Sequence, residues 1–158
     1  MRKTWAILMV GALAVLLVGA PLVAHHTFGA EFDAGAPMQL EGRVVRLEWV
    51  NPHSWIHVEV SRMVLGNTEI VPDDPSEEVW RVEAGSPAGL ERRGLRRECI
   101  SYGTQLIVNG FQARDHTLKR TNGRDVTFPD GSRFFLGSSV PDAPRDGAEA
   151  RANRPGGC

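Results

Sequence analysis

Five histidines, His25, His26, His53, His57 and His116, are the side chains here best suited to chemistry near neutral pH. Two of them are adjacent, His25-His26, directly after a long apolar run. If the mature chain begins at His25, that one residue offers its free α-amine and its ring nitrogen to the same ion, with the His26 ring beside it. Such a nitrogen-rich set favours Cu(II) among the divalent first-row metals, with Ni(II) and Zn(II) behind it. An α-amine titrates at about 8 and an imidazole at about 6.5, so a metal ion deprotonates both around neutrality. A third imidazole would close the site, and His53 and His57 are the candidates. Four extended residues at about 3.3 Å each place these two roughly 13 Å apart, too far to share one ion. The plainer alternative is a solvated pair at the start of a mature chain, with His57 an ordinary half-exposed strand residue.

Trp55 supplies a second kind of candidate. It stands on the face of its strand opposite Ile56 and Val58, where an aromatic can stack a ligand or pack under a neighbouring segment. Together Trp55 and His57 could form a metal-free docking face for a partner protein or a small ligand. No Ser-His-Asp order, nucleophile elbow, phosphate-binding glycine loop, HExxH or CxxC occurs. The carboxylates show no pairing that periodicity would set across a cleft, so an enzyme is not expected.

The copper chemistry requires a cut before His25, and the preceding residues suit one. Arg2 and Lys3 precede an uncharged run from Trp5 to Val18, which ends in Gly19-Ala20-Pro21-Leu22-Val23-Ala24. A basic start, an apolar middle and a small residue before the cut make a secretory signal peptide over residues 1–24. Pro21 disfavours cleavage after Ala20. An uncleaved membrane anchor is the competing reading, since the run is nearly long enough to span a bilayer. Without a Cys after the run, a lipid-modified start is not supported. The expectation is an exported protein, periplasmic or secreted, with no stable membrane anchor once cleaved.

The chain has 18 basic and 19 acidic residues; without Arg2 and Lys3 the balance is 16 to 19. That balance does not suit nucleic-acid binding, which needs an excess of Lys and Arg to displace counterions. The two cysteines, Cys99 and Cys158, could pair in an oxidising compartment; otherwise Cys99 is semi-buried and Cys158 is free or paired between molecules.

Strand signals dominate what remains. Met38 to Val50 (MQLEGRVVRLEWV) alternates, with Gly42 marking a bulge or a sharp coil. Asn51-Pro52-His53 turns the chain into Ser54 to Val60 (SWIHVEV), completing a hairpin. Residues 61–76 run into a Pro- and Asp-rich loop, and Glu78 to Ala84 is a third strand. Ser86 as cap and Pro87 at the first turn open a short helix that Gly94 stops. Thr104 to Ala113, Asp125 to Phe128 and Arg133 to Leu136 are further strands, the last two joined by the Pro129-Asp130-Gly131 turn. The expected core is Val44, Leu47, Ile56, Val58, Val60, Val82, Ile107 and Phe111. The charged run Glu91 to Glu98 reads as a solvated helix face and its exit, with an anion site as the alternative.

The resulting fold class is mainly β: a small five- to six-stranded OB-like barrel with one short helix over residues 25–137. A β-sandwich is the alternative. Residues 138–158, full of Pro, Gly, Ala and charge, read as a disordered tail.

These pieces together resemble a domain-of-unknown-function family of small exported bacterial proteins. The likeness rests on Ala24-His25-His26-Thr27-Phe28 with Glu31-Phe32-Asp33, Gly42-Arg43-Val44, and Glu48-Trp49-Val50-Asn51-Pro52-His53-Ser54-Trp55. It continues through Trp80-Arg81-Val82-Glu83, Gly85-Ser86-Pro87, Leu90, Arg93-Gly94 and Pro129-Asp130-Gly131. The chain departs from the pattern at Gly94-Leu95, where Gly-Trp is frequent, and at Tyr102-Gly103-Thr104, where Pro-Gly-Asp is usual. It also adds Cys99 and the tail. The resemblance implies export and one small β domain but carries no activity. Two functions follow as expectations: an exported binding protein holding copper at the mature N-terminus, or a metal-free module that docks a periplasmic protein or small ligand on the Trp55/His57 face.

Overall fold

The computed structural model describes residues 28–137. The expected signal peptide, His25 and His26, and the expected tail with Cys158 lie outside them. The described chain is mainly β. Seven strands are interrupted by two short helices: α1 (Phe28–Glu31), β1 (Phe32–Glu48), β2 (Ser54–Leu65), β3 (Thr68–Ile70), β4 (Val79–Ala84), α2 (Pro87–Arg92), β5 (Gln105–Ala113), β6 (Arg120–Thr127) and β7 (Arg133–Phe135). Among the described residues no helix is long and apolar enough to cross a membrane.

Five of the strands pair into a ring. β1 pairs with both β2 and β5, β5 with β6, β6 with β4, and β4 with β2. Every contact in the ring is antiparallel except β4–β6, where Arg81, Val82 and Glu83 run alongside Arg120, Thr121 and Asn122. β3 extends β2, and β7 extends β6. The expected hairpin over Asn51-Pro52-His53 is present, with the Asn51–Pro52 bond cis. β3 was not legible in the sequence, and β6 starts five residues ahead of the expected Asp125.

Register shifts decide which residues face inward. In β1, Leu40, Gly42 and Val44 are buried at even positions. A shift between Val44 and Arg46 then leaves Leu47, not Val45 or Arg46, opposite Ile56. A second shift, where the sequence placed a bulge at Gly42, skips Ser61 of β2. Ile56, Val58 and Val60 thus share the interior with Met63 despite the change of parity. Gly42 has a steric reason: a Cβ there would meet the Glu59 carbonyl oxygen at 2.1 Å.

Of the expected core, Val44, Ile56, Val58, Val60 and Val82 are fully enclosed, and Leu47 packs against the cluster. Ile107 and Phe111 are a correction. In β5 it is Leu106 and Val108 that are buried, while Ile107 and Phe111 face outward and are only half-buried. Both parities of LIV are apolar, so alternation alone cannot choose between them. Phe111 packs edge-on to Phe28, with ring centroids 5.6 Å apart.

α2 forms as its residues dictate. The Ser86 hydroxyl accepts from the Gly89 amide, Pro87 occupies the first turn, and Gly94 takes φ 94° as the helix ends. Its Leu90, with Leu95 and Ile100 after it, joins the core. Cys99 is buried, with no disulfide among the described residues. Three connections share one device: Asp74, Asp115 and Asp130 each accept, through Oδ1, from the amide and the hydroxyl of a Ser or Thr two residues on.

The register in β5 is testable. Val108→Asp should cost several kcal/mol by placing a charge in the core, and Ile107→Asp well under half as much. Urea midpoints of the two variants check this; equal losses would put the register wrong by one.

Candidate functional site

The outward face of β2 carries Trp55, His57 and Glu59, because Ile56, Val58 and Val60 take the interior. β4 lies beside it, with Glu83 opposite Trp55 and Arg81 opposite His57. The parallel contact adds Arg120 next to Arg81. Two guanidiniums consequently meet the indole: the central carbon of Arg81 lies 4.2 Å from the Trp55 ring centroid and that of Arg120 lies 4.8 Å away. Arg120 also stands 5.1 Å from the Phe32 ring. The Trp55 face is therefore occupied by the protein's own cations.

Arg120 is bound on two sides by acids. Its Nη2 donates to Glu83 Oε2 at 3.1 Å and also to Glu31 Oε2, at the end of α1. The other oxygen of Glu83, Oε1, lies 3.1 Å from His53 Nδ1. That nitrogen is buried and not aligned for a hydrogen bond. Glu83 is thus a bridge. One oxygen faces the His53 ring, and the other holds the arginine that fastens α1 to the sheet. The Glu83 side chain is 10% exposed.

His57 belongs to a different group. Its Nε2 lies 2.8 Å from Glu48 Oε1 at the end of β1, and Arg46 approaches the same oxygen at 3.4 Å. The hydrogen bond from His57, with the attraction of Arg46, His57 and Arg81, holds the Glu48 carboxyl below its ordinary value against the opposing effect of burial. His53 and His57 are accordingly held by separate carboxylates. The exposed His116 lies 3.9 Å from Asp33. Among the described residues no group of three or more His, Cys, Asp or Glu side chains is arranged to hold a metal.

Sequence reasoning named Trp55, His53 and His57 but missed Arg81, Glu83, Arg120 and Glu31. The Trp80-Arg81-Val82-Glu83 strand put Arg81 and Glu83 on one face by alternation, and that signal could have been used. Arg120 lay in a stretch without strand periodicity, and nothing in a single sequence announces a parallel contact between β4 and β6.

A second polar chain crosses the outer face of β1, β5, β6 and β7. Gln39 donates to Asn109, Asn109 donates to Asp125, and Arg133 grips Asp125 through Nε at 2.9 Å and Nη2 at 2.7 Å. It borders an open groove of about 370 Å3 whose lining includes Met38, Phe111 and Arg124.

Two measurements test these assignments. Arg120→Ala should cost about 1–3 kcal/mol, since it leaves the enclosed Glu83 without its cation; Arg81→Ala, at an exposed residue with no close ion pair among the described residues, should cost about 0.5 kcal/mol. Because folding lowers the pKa of Glu48, its contribution is present above its ordinary value of 4.5 and is lost as pH falls through the lowered one. His57→Ala should therefore flatten the urea midpoint against pH below about 4.5; an unchanged acid slope would refute the pairing.

A family model describes residues 13–122, from within the apolar N-terminal run to Asn122 in β6. Neither a curated protein nor a solved structure matches the chain. The match bears out the likeness drawn from AHHTF, NPHSW and the WRVE strand, and it brings no activity with it. On this match the chain belongs to DUF6152, a family of unknown function.

Proposed function

We propose that the protein is an exported binding module, periplasmic or secreted, that holds a copper ion through His25, His26 and His53. Residues 1–24 act as a signal peptide, 25–137 form the domain and 138–158 the tail. The domain reads as an OB-type barrel. With the ring strands numbered one to five in chain order, the pairing runs 1-2-3-5-4-1, the 3–5 contact is parallel, and the short α2 sits between three and four.

The observation that carries the metal reading is the double role of Glu83. It faces His53 with one oxygen and, through Arg120, holds Glu31 with the other. The segment that starts just after the histidine pair is fastened to the carboxylate that also stands beside a third imidazole. Phe28 is anchored on Phe111 and Phe32, and two peptide units limit the His26 Cα to about 7.6 Å from that of Phe28. A carboxylate behind Nδ1 is the usual outer partner of a metal-binding histidine and leaves Nε2 for the ion. His57 has its Nε2 committed to Glu48, so this site excludes it. The metal-free alternative, a partner or small ligand on the Trp55/His57 face, would have to displace two guanidiniums from the indole.

Calorimetric Cu(II) titration of the exported protein tests the assignment. His25→Ala, or one residue added before His25, should weaken binding at least tenfold, about 1.4 kcal/mol. His53→Ala should also weaken it, and His57→Ala should leave it unchanged. Equal affinity in all four would mean a solvated N-terminus, and an intact mass beginning anywhere but His25 would remove the amine chelate.

A further inference from the structure

At the exit of α2, four arginines fall within six residues: Arg92, Arg93, Arg96 and Arg97. The described domain is acidic on balance, and most of its other cations lie against acids: Arg43 on Glu59, Arg62 on Glu69, Lys119 on Glu78, Arg120 on Glu31 and Glu83, Arg133 on Asp125. Among the described residues none of the four at the α2 exit forms an ion pair. The nearest acids in sequence do not supply one. Glu91 accepts from the Trp49 indole at 3.3 Å, and Glu98 is exposed.

Arg93 is the unusual member. Arg92, Arg96 and Arg97 are exposed, as expected of a solvated charged run, but Arg93 is half-buried. Its guanidinium carbon lies 5.5 Å from the Phe135 ring centroid. Its Nη1 crowds Gly137 so closely that a Cβ there would fall 1.4 Å from it. The fork is thus held in place by an aromatic ring and a backbone, neither of which neutralises it. Burial first, and the neighbouring Arg92 second, push this guanidinium below the ordinary arginine value. A charge withdrawn from water beside a like charge, and with no counter-ion among the described residues, is an unfavourable arrangement that an anion would relieve.

We propose that Arg93, with Arg92 beside it, forms an anion site that takes a phosphate group, with Arg96 and Arg97 adding long-range attraction. The charge of two arginines adjacent in the chain matches the charge of about −1.5 to −2 on a phosphate monoester better than that of a single carboxylate. Planar forks also bind such oxygens in pairs. The phosphate could be free in solution or borne by a lipid headgroup. The site lies apart from the His53–Glu83–Arg120 cluster and does not depend on the copper reading.

The exported full-length protein is titrated calorimetrically with inorganic phosphate at low salt, and sedimented with phosphatidylglycerol vesicles in a parallel arm. Binding to phosphate assigns a soluble ligand; binding to vesicles alone assigns a headgroup. In the productive arm Arg93→Gln should weaken binding by at least about tenfold, and Arg93→Lys by several-fold, since it keeps the charge but loses the fork. Arg62→Gln, a control whose guanidinium is paired with Glu69, should change it less than about twofold. The urea midpoint of each variant shows that it is folded. No binding in either arm, an unaffected Arg93→Gln, or an equal loss in Arg62→Gln would overturn the proposal. So would phosphate binding that appears only when Asp142→Asn, Asp146→Asn and Glu149→Gln are combined, because the tail would then fill the site.

Discussion

Arg120 sits where four elements of the molecule meet. Its guanidinium reaches Glu31 at the end of α1, Glu83 on β4, the Phe32 ring at the start of β1 and the Trp55 indole on β2. Residue 120 is distant from all of these in sequence, and only ring closure brings it there. A guanidinium suits the place because it is planar, spreads its donors over two carboxylates and lies against aromatic faces. Its Nε is enclosed without a hydrogen-bond partner, so the surroundings are arranged around the fork's outer nitrogens rather than the whole group. The entry of the chain into the sheet and the setting of His53 both run through this side chain.

That dependence rests in turn on the parallel β4–β6 contact. Parallel pairing places Arg81 and Arg120, and then Glu83 and Asn122, side by side. The outer face consequently sets two cations side by side, with the Glu83 carboxylate and the Asn122 amide beyond them, on strands that are far apart in the chain. Antiparallel pairing of the same segments would have reversed the order and set different partners opposite each other. The bulges matter for the same reason. Were Ser61 not skipped, Met63 would point outward, and were the shift after Val44 absent, Arg46 rather than Leu47 would face Ile56. The irregularities therefore keep the apolar set inside while the sequence changes parity.

Much of this local structure was legible. SWIHVEV alternates strictly and is half-buried as it reads; Ser86-Pro87 opens a helix and Gly94 ends it; Pro129-Asp130-Gly131 turns. Each is a rule acting over a few residues. What was not legible needs distant information. LIV in β5 is apolar on both faces, so only the pairing with β1 and β6 selects Leu106 and Val108 for the interior. β3 is three residues long, and RTNGRDV lacks alternation because its buried positions hold Thr121, Asn122, Gly123 and Asp125. Two of these polar residues are tolerated out of water because they are bonded, Thr121 to the Phe111 carbonyl and Asp125, on the outer face, to Asn109 and Arg133. A propensity argument has no access to those partners. The site followed the same division: the aromatic and the histidines were visible by type, whereas the charges that hold them came from strands joined only in three dimensions.

The two histidines on this face also show how similar side chains are given different tasks. His57 projects from a regular strand, is 13% exposed, and has its ring nitrogen bound to Glu48. Its partner lies on the neighbouring strand of the hairpin, so the contact joins β1 to β2 and is complete within the described residues. His53 lies in the turn, is 35% exposed, and faces Glu83 through a nitrogen that the carboxylate does not fully engage. An imidazole that already spends its accessible nitrogen on a carboxylate strengthens a hairpin. One that lies beside a carboxylate without a hydrogen bond, in a turn and partly exposed, is less tied to the sheet. The distinction follows from which strand end each residue occupies, and it is why a turn histidine rather than the strand histidine becomes the third ligand candidate.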